Sequence, residues 1–365
     1  MTALSGPART GTAPALPGAG GTPPRRWVIA GVALAVLIGL AAMGVRLATG
    51  ALWIDLEVYR DAALAVLHGR NPYDFVNHNG LMFNYTPFAA LLLTPLGLAG
   101  MPAGVLWWTI LSALTLLASV WLVLRHFGVA EPRRTRLTVL LALVCLPMLP
   151  ILHSLELGQI NIMLMLLVLA DLLGGRRAGH GPGGRWQGVG LGIAAGIKLT
   201  PLIFVPYLVL TGRIRAAVTA VGTFAATAAL GFLLLPGTSW AYWLGGHVTS
   251  SGRLSPPDTE IYNQSLRGAL VRLSDSGADA PGWVWPLLAL VAGVAAMTVA
   301  VRAGRRGHEL AGILACALAA LLVSPISWHT HWVWCVPLVL LTGRAALRTR
   351  RAWPVTTTAL AWLVF

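Results

Sequence analysis

Gly188-Val189-Gly190-Leu191-Gly192-Ile193-Ala194-Ala195-Gly196-Ile197-Lys198-Leu199-Thr200-Pro201-Leu202-Ile203-Phe204-Val205-Pro206-Tyr207-Leu208-Val209-Leu210 is an apolar run that contains the only lysine of the chain. Every other fixed positive charge is an arginine. A cation at membrane depth costs about 2.5–3.5 kcal/mol on insertion scales and is kept where it faces a partner or a watery cavity. An anion is the expected partner of Lys198. The alternative is a lysine that snorkels to a nearby interface, its stem in the apolar layer and its ammonium in water.

Composition places this run in a membrane. The chain is 56% hydrophobic and 10% charged, with a mean hydropathy of +0.74, and cannot solvate its own surface. It reads as a polytopic all-α membrane protein. The formal net charge of +14 would suggest a nucleic-acid partner in a soluble protein. Here the arginines punctuate apolar segments instead of forming a stripe with interleaved aromatics, so no nucleic acid is expected. Cys145, Cys316 and Cys335 all fall inside apolar stretches and read as small buried hydrophobes, not a disulfide framework.

Residues 1–26, rich in Pro, Gly, Ala and Thr, are expected to form a disordered cytoplasmic tail ending at Arg25 and Arg26. Residues 27–365 form one multi-pass domain. Trp27–Ala42 continues toward Leu47 without a small-residue cleavage site, which suits a first spanning helix better than a signal peptide. Further apolar segments run at about 86–98, 101–124, 137–153, 160–173, 188–197, 200–211, 216–235, 284–301, 310–323, 332–342 and 353–365. A span needs roughly 20 residues, so the pieces of 10 to 14 predict broken or re-entrant helices buried among others.

Orientation follows from the arginines, which concentrate on the cytoplasmic side. Arg25/Arg26, Arg125/Arg133/Arg134/Arg136, Arg176/Arg177/Arg185, Arg213/Arg215, Arg302/Arg305/Arg306 and Arg344/Arg348/Arg350/Arg351 are therefore assigned inside. Segments 188–197 and 200–211 then form a hairpin broken at Pro201, with Lys198 at its tip. Outer loops are expected at 48–86 and 237–282, together with the polar clusters Glu156–Asn161 and Ser324–His331. Most of the acidic residues fall on this outer side, so any chemistry faces outward.

Trp53 to Gly69 has near-helical spacing of apolar residues and reads as an amphipathic interfacial helix with Gly69 as its stop. Asp55, near its start, is either a helix cap or an ionised base close to the membrane surface. Glu57 and Tyr59 follow on the same helix. Asn71-Pro72-Tyr73-Asp74 and Asn84-Tyr85-Thr86-Pro87 read as turns whose tyrosines serve as interfacial anchors or sugar-stacking platforms. Gly158-Gln159-Ile160-Asn161 opens an apolar helix, where the two amides need partners in a neighbouring helix or a ligand. In Ser324-Pro325-Ile326-Ser327-Trp328-His329-Thr330-His331-Trp332 the proline breaks a helix and two histidines project from the break. Those histidines, two residues apart, would face differently on a helix, and no His/Cys/carboxylate cluster has zinc-like spacing. A titratable base or an anion contact fits them better. No metal or other cofactor is called for, although Asp55-Leu56-Glu57 leaves a weak opening for a metal.

There is no Walker loop, no dinucleotide fingerprint after a strand and no Gly-x-Ser-x-Gly elbow. Without a soluble domain to hold a nucleotide, an activated substrate would arrive through the lipid phase. A lipid phosphate suits Lys198.

Taken in order, Asp55-Leu56-Glu57-Val58-Tyr59, Gly69-Arg70-Asn71-Pro72-Tyr73, Tyr85-Thr86-Pro87, Gly158-Gln159-Ile160-Asn161, Lys198-Leu199-Thr200-Pro201, Asn263-Gln264-Ser265 and Ser324-Pro325-Ile326-Ser327-Trp328 resemble glycosyltransferase family 87. These are the bacterial polyprenol-phosphate-mannose-dependent alpha-1,2-mannosyltransferases. The resemblance runs from about residue 50 to 345 and implies a GT-C membrane fold with an outward-facing active-site cavity. It implies a polyprenyl-phosphate-mannose donor, a glycolipid or lipoglycan acceptor, and transfer with inversion at the outer face of the cytoplasmic membrane. It makes Asp55 the essential acidic residue and sets the Ser-Trp-x-His-His segment in the same cavity. This chain departs there: the second histidine of that segment is His331, the first is replaced by Thr330, and His329 is an extra. On this reading Asp55 or His331 takes the acceptor proton and Lys198 and His329 meet the donor phosphate. Glu57, Tyr59, Tyr85, Gln159, Asn161, Asn263, Gln264, Ser327 and Trp328 position substrates. Because the sequence stops in mid-helix at Phe365, a longer natural chain is expected. The competing readings are a GT-C transferase for another lipid-linked sugar and a secondary transporter or lipid flippase, which would also show broken helices and a buried cation. Oligomeric state leaves no trace in the sequence.

Overall fold

The computed structural model describes residues 33, 37, 41, 53–78, 80–174, 184–249, 263–273, 282–349 and 356–361. The tail 1–26, much of the 237–282 loop and Phe365 lie outside these residues, and the expected first span is seen only at Ala33, Leu37 and Ala41, which are helical. Among the described residues the chain is all-helical, with isolated β-bridges at Val76–Met82 and Asn263–Trp328 but no strand.

The helices are α1 (Ile54–Leu67), α2 (Pro87–Leu92), α3 (Thr94–Leu98), α4 (Met101–His126), α5 (Arg133–Cys145), α6 (Leu149–Leu157), α7 (Asn161–Gly174) and α8 (Val189–Ile197). They continue with α9 (Phe204–Leu210), α10 (Ile214–Leu234), α11 (Pro236–Trp243), α12 (Leu266–Leu273), α13 (Val284–Arg305), α14 (Glu309–Val323) and α15 (Cys335–Thr349). Three described helices, α4, α10 and α13, are long and apolar enough to cross a membrane. The others are short pieces, several of them started by proline at the first turn, where its missing N–H costs nothing.

Two sequence expectations change. The apolar stretch 137–153 is not one segment: Pro147 cannot continue the hydrogen-bond ladder, α5 ends at Cys145, and α6 leaves at 85° to it. The helix expected at an interface, α1, instead buries Leu56, Val58, Tyr59, Ala62, Ala63 and Ala65 inside the protein, packed on α2 and α3. Its apolar face is covered by protein, not lipid.

The expected break between 188–197 and 200–211 is present. α8 stops at Ile197, Lys198 is extended (φ −144°, ψ 131°), and Thr200–Ile203 forms a 3-10 turn before α9. α8 can lie against α10 because its contact face is glycine; a Cβ on Gly192 would stand 2.5 Å from Thr223 Cβ and 2.6 Å from the Ala220 carbonyl oxygen. At its start the Asp171 carboxylate accepts from the Gly188 and Gly190 amides, satisfying donors that a helix N-terminus leaves free. On the arginine-rich side Arg213 reaches Glu309 at 2.7 Å, and the Tyr207 hydroxyl donates to the same carboxylate. This buried pair ties α10 and α9 to α14.

Candidate active site

α6 ends at Gly158, whose φ of 74° is the left-handed conformation that glycine adopts without strain. Any Cβ there would stand 2.6 Å from Leu56 Cβ, so the end of α6 lies directly on the first turn of α1. That contact sets Gln159 beside Asp55, and the two side chains are hydrogen-bonded. Asp55 is no helix cap: the N-cap of α1 is Trp53, and no side chain caps the helix. Burial raises the Asp55 carboxyl to about 6, against the opposing pull of the Gln159 hydrogen bond and the Lys198 charge.

The Gln159 carbonyl oxygen collects several donors. Tyr59 Oη lies 3.3 Å away, Tyr85 Oη 3.5 Å and Asn161 Nδ2 3.0 Å, and the two tyrosine hydroxyls meet each other at 2.8 Å. Lys198 Nζ donates to Asn161 Oδ1 at 3.2 Å and stands 3.0 Å from His331 Nε2. It also lies over the Tyr85 ring, 5.4 Å from the centroid. An ammonium only donates, so His331 Nε2 accepts and the ring is neutral. Burial first, then the Lys198 charge, hold this imidazole well below its ordinary pKa.

Asp55, Tyr59, Tyr85, Gln159, Lys198, Trp328 and His331 line one cavity of about 430 Å³. The lysine does not snorkel. Residues that the sequence offered no pattern for complete the lining, among them Leu81, Tyr242 and His247, together with Asn84 from the Asn84–Pro87 turn. A second, smaller crevice of about 50 Å³ lies behind Lys198 and His331, between Asn161 and the apolar side chains Leu164, Phe204, Leu321 and Trp334. Among the described residues no three His, Cys or carboxylate groups are placed to hold a metal.

Other expected site residues stand elsewhere. Glu57 is 3.6 Å from His78 at the surface and does not line the cavity. Asn263 is fully buried and holds a turn together: its Oδ1 accepts from the Ser265 and Ser327 amides at 3.2 and 3.0 Å, and its Nδ2 reaches the Pro325 carbonyl. Gln264 bonds the Ser327 carbonyl through its backbone N–H, and Ser327 is itself fully buried. These three brace the segment that carries Trp328 to the cavity. His329 turns away to His153, Nε2 to Nδ1 at 2.6 Å, so the extra histidine has its partner on α6. Tyr73 is neither anchor nor open platform; it is buried, donates to the Tyr85 carbonyl at 2.7 Å and stacks on Tyr242.

A profile of Glycosyltransferase family 87 matches residues 83–325. A "polyprenol-phosphate-mannose-dependent alpha-(1-2)-phosphatidylinositol mannoside mannosyltransferase" of Mycobacterium tuberculosis is 36% identical over 318 residues, which is 81% of this chain and 71% of the relative. A pentamannoside mannosyltransferase of the same species is 34% identical over 333 residues, 87% and 73% of the two chains. A phosphatidylinositol mannoside mannosyltransferase of Mycolicibacterium smegmatis is 31% identical over 369 residues, 94% and 81%. No solved structure matches. The matched region holds most of the cavity wall, from Tyr85 through Lys198 to the Ser324–Pro325 break, and the chain belongs to glycosyltransferase family 87.

Proposed function

We propose that this glycosyltransferase moves a mannosyl group from polyprenyl-phosphate-mannose to a phosphatidylinositol mannoside or related lipoglycan, with inversion, forming an alpha-1,2 linkage. The reading rests on one observation: Asp55, Lys198 and His331 line a single cavity. In the proposed step the acceptor hydroxyl oxygen attacks the mannosyl anomeric carbon on the face opposite the phosphate. The new C–O bond forms as the bond to the phosphate oxygen breaks, its electron pair leaving with polyprenyl phosphate. Asp55 takes the hydroxyl proton, and Lys198 offsets the charge gathered on the departing phosphate. A carboxyl at about 6 is well matched to accept a proton near neutral pH. His331 is the weaker candidate for base, because its Nε2 lone pair faces Lys198. We assign the fold to the GT-C type and the cavity to the outer side of the membrane, in keeping with the arginine distribution. Tyr59, Tyr85, Gln159 and Trp328 would contact the sugars directly, while Asn161 holds Lys198 and the Asn263–Ser327 turn acts as scaffold.

The test is transfer of radiolabelled mannose from its polyprenyl phosphate to phosphatidylinositol mannosides in membranes containing the protein. Asp55→Asn is expected to lower the rate by about a hundredfold or more at an unchanged protein level. Undiminished transfer would remove Asp55 from the mechanism; absence of transfer by the unaltered protein, with vectorial uptake of the lipid instead, would favour the transporter reading.

A further inference from the structure

His331 reaches Lys198 from a short 3-10 turn, His329–Trp334, which contains the non-helical residue Trp332. Such a turn has little internal rigidity. Its placement comes from neighbouring side chains that contact three successive residues. His153 Nδ1 meets His329 Nε2 at 2.6 Å, with the rings edge-on and their centroids 4.6 Å apart. The Thr330 carbonyl accepts from Ser154 Oγ at 3.3 Å and from Asn161 Nδ2 at 3.0 Å. His331 Nε2 then faces Lys198 Nζ. α6 thus grips the turn twice, through His153 and Ser154, and neither side chain lines the cavity.

We propose that His153 is a positioning residue for the lipid-phosphate end of the cavity, acting through the His329–His331 turn on the Lys198–His331 pair. An N···N hydrogen bond needs one ring to donate and the other to offer a lone pair. On the far edge of His153, Nε2 lies 3.7 Å from Glu156 Oε2, which favours the proton on Nε2 and leaves Nδ1 to accept from His329. The charged and titratable groups around the pair are Glu156 on α6, His331 on the turn, Lys198 beyond it at the α8 break, and Asp55 on α1, which reaches the same network through Gln159. The inference rests on the lipid-phosphate reading of the cavity but not on which sugar is moved.

The experiment compares His153→Leu and His153→Gln with the unaltered full chain at pH 7.5, reading the donor KM and acceptor KM separately. Leu removes the link, and the donor KM is expected to rise about tenfold with the acceptor KM unchanged. Gln can donate or accept a hydrogen bond, so it should keep the donor KM near that of the unaltered protein. An unchanged donor KM in the Leu variant overturns the proposal, as does a Gln variant whose donor KM is raised as much as that of the Leu variant. Where the Leu variant fails to accumulate, His153→Phe, which fills the space without the hydrogen bond, is read in its place. Binding of sugar-free polyprenyl phosphate, followed by tryptophan fluorescence of the purified chain, provides a readout without turnover. Weakened binding in the Leu variant supports the positioning role even if mannose proves to be the wrong sugar, whereas equal binding in both proteins counts against it.

Discussion

At Asp55 a carboxylate is held half-buried among groups that compete for it. Its folded pKa of about 6 lies above the ordinary carboxylate range, so proton loss is disfavoured by the fold and the charge is a cost above pH 6. Two outcomes follow from that sign. The rate should fall about tenfold per pH unit below pH 6 as the base is protonated, measured as kcat over pH 4.5 to 8. Asp55→Asn should raise the thermal midpoint at pH 7.5, with the gain shrinking toward pH 5, because it removes a charge the cavity strains to keep. A variant that is inactive yet more heat-resistant separates lost chemistry from lost folding. Lys198 stood out in the sequence because it is a lone charge in an apolar run, where physics demands a reason, whereas Asp55 read equally as a helix cap and was singled out by the family resemblance. His153 was not legible, since a histidine in an apolar helix reads equally as a satisfied core residue, and its partner lies 176 positions away. Asn263 and Tyr73 were legible as special but not in role; short polar motifs announce a turn without saying whether it touches a ligand or braces one that does.

The α8–α10 contact shows how an element sets the site. Gly192 lies six residues before Lys198, and the close approach it permits fixes where α8 ends and hence where the lysine emerges. Gly192→Ala is expected to destabilise the protein by about 1–3 kcal/mol through overpacking against Thr223 and Ala220, measured by thermal or SDS unfolding. Removing the opposing Cβ with Thr223→Gly in the same chain should make the double variant less destabilised than the sum of the two single changes, which independent sites would not do. Proline and glycine punctuation gave most helix limits within a few residues, including the break at Pro201. It missed the bend at Pro147 because that proline sits inside an otherwise continuous apolar stretch. The burial of α1 was hidden for a different reason: periodicity reveals an apolar face, but lipid tails and a protein interior are equally apolar, so the pattern does not say which one covers it.

For the molecule as a whole, arginine placement carries the topology, and chemical labelling tests it. The three cysteines are free and buried, so added thiols can be read against a quiet background. His78→Cys, at a side chain that is 63% exposed, is expected to react with a membrane-impermeant maleimide on intact cells. Arg215→Cys, exposed on α10, should react only after the membrane is opened. The reverse pattern would put the cavity on the cytoplasmic side. Long spans were legible from length and hydropathy, whereas the arrangement of the short helices was not, because tertiary contacts among such short pieces leave no periodic signal; the GT-C assignment proposed for them rests on family resemblance.

The three long helices differ sharply in cover. Over half of the apolar window of α4 is buried, against 22% in α10 and 6% in α13. α13 is thus an outer stave, leaning on α14 with lighter touches on α12 and α9, and most of its side chains are clothed by whatever surrounds the protein. α14 in turn bears on the turn that carries His331. Phospholipid around α13 is therefore expected to act as part of the wall: a short-chain detergent that strips it should lower the transfer rate before the better-covered helices unfold.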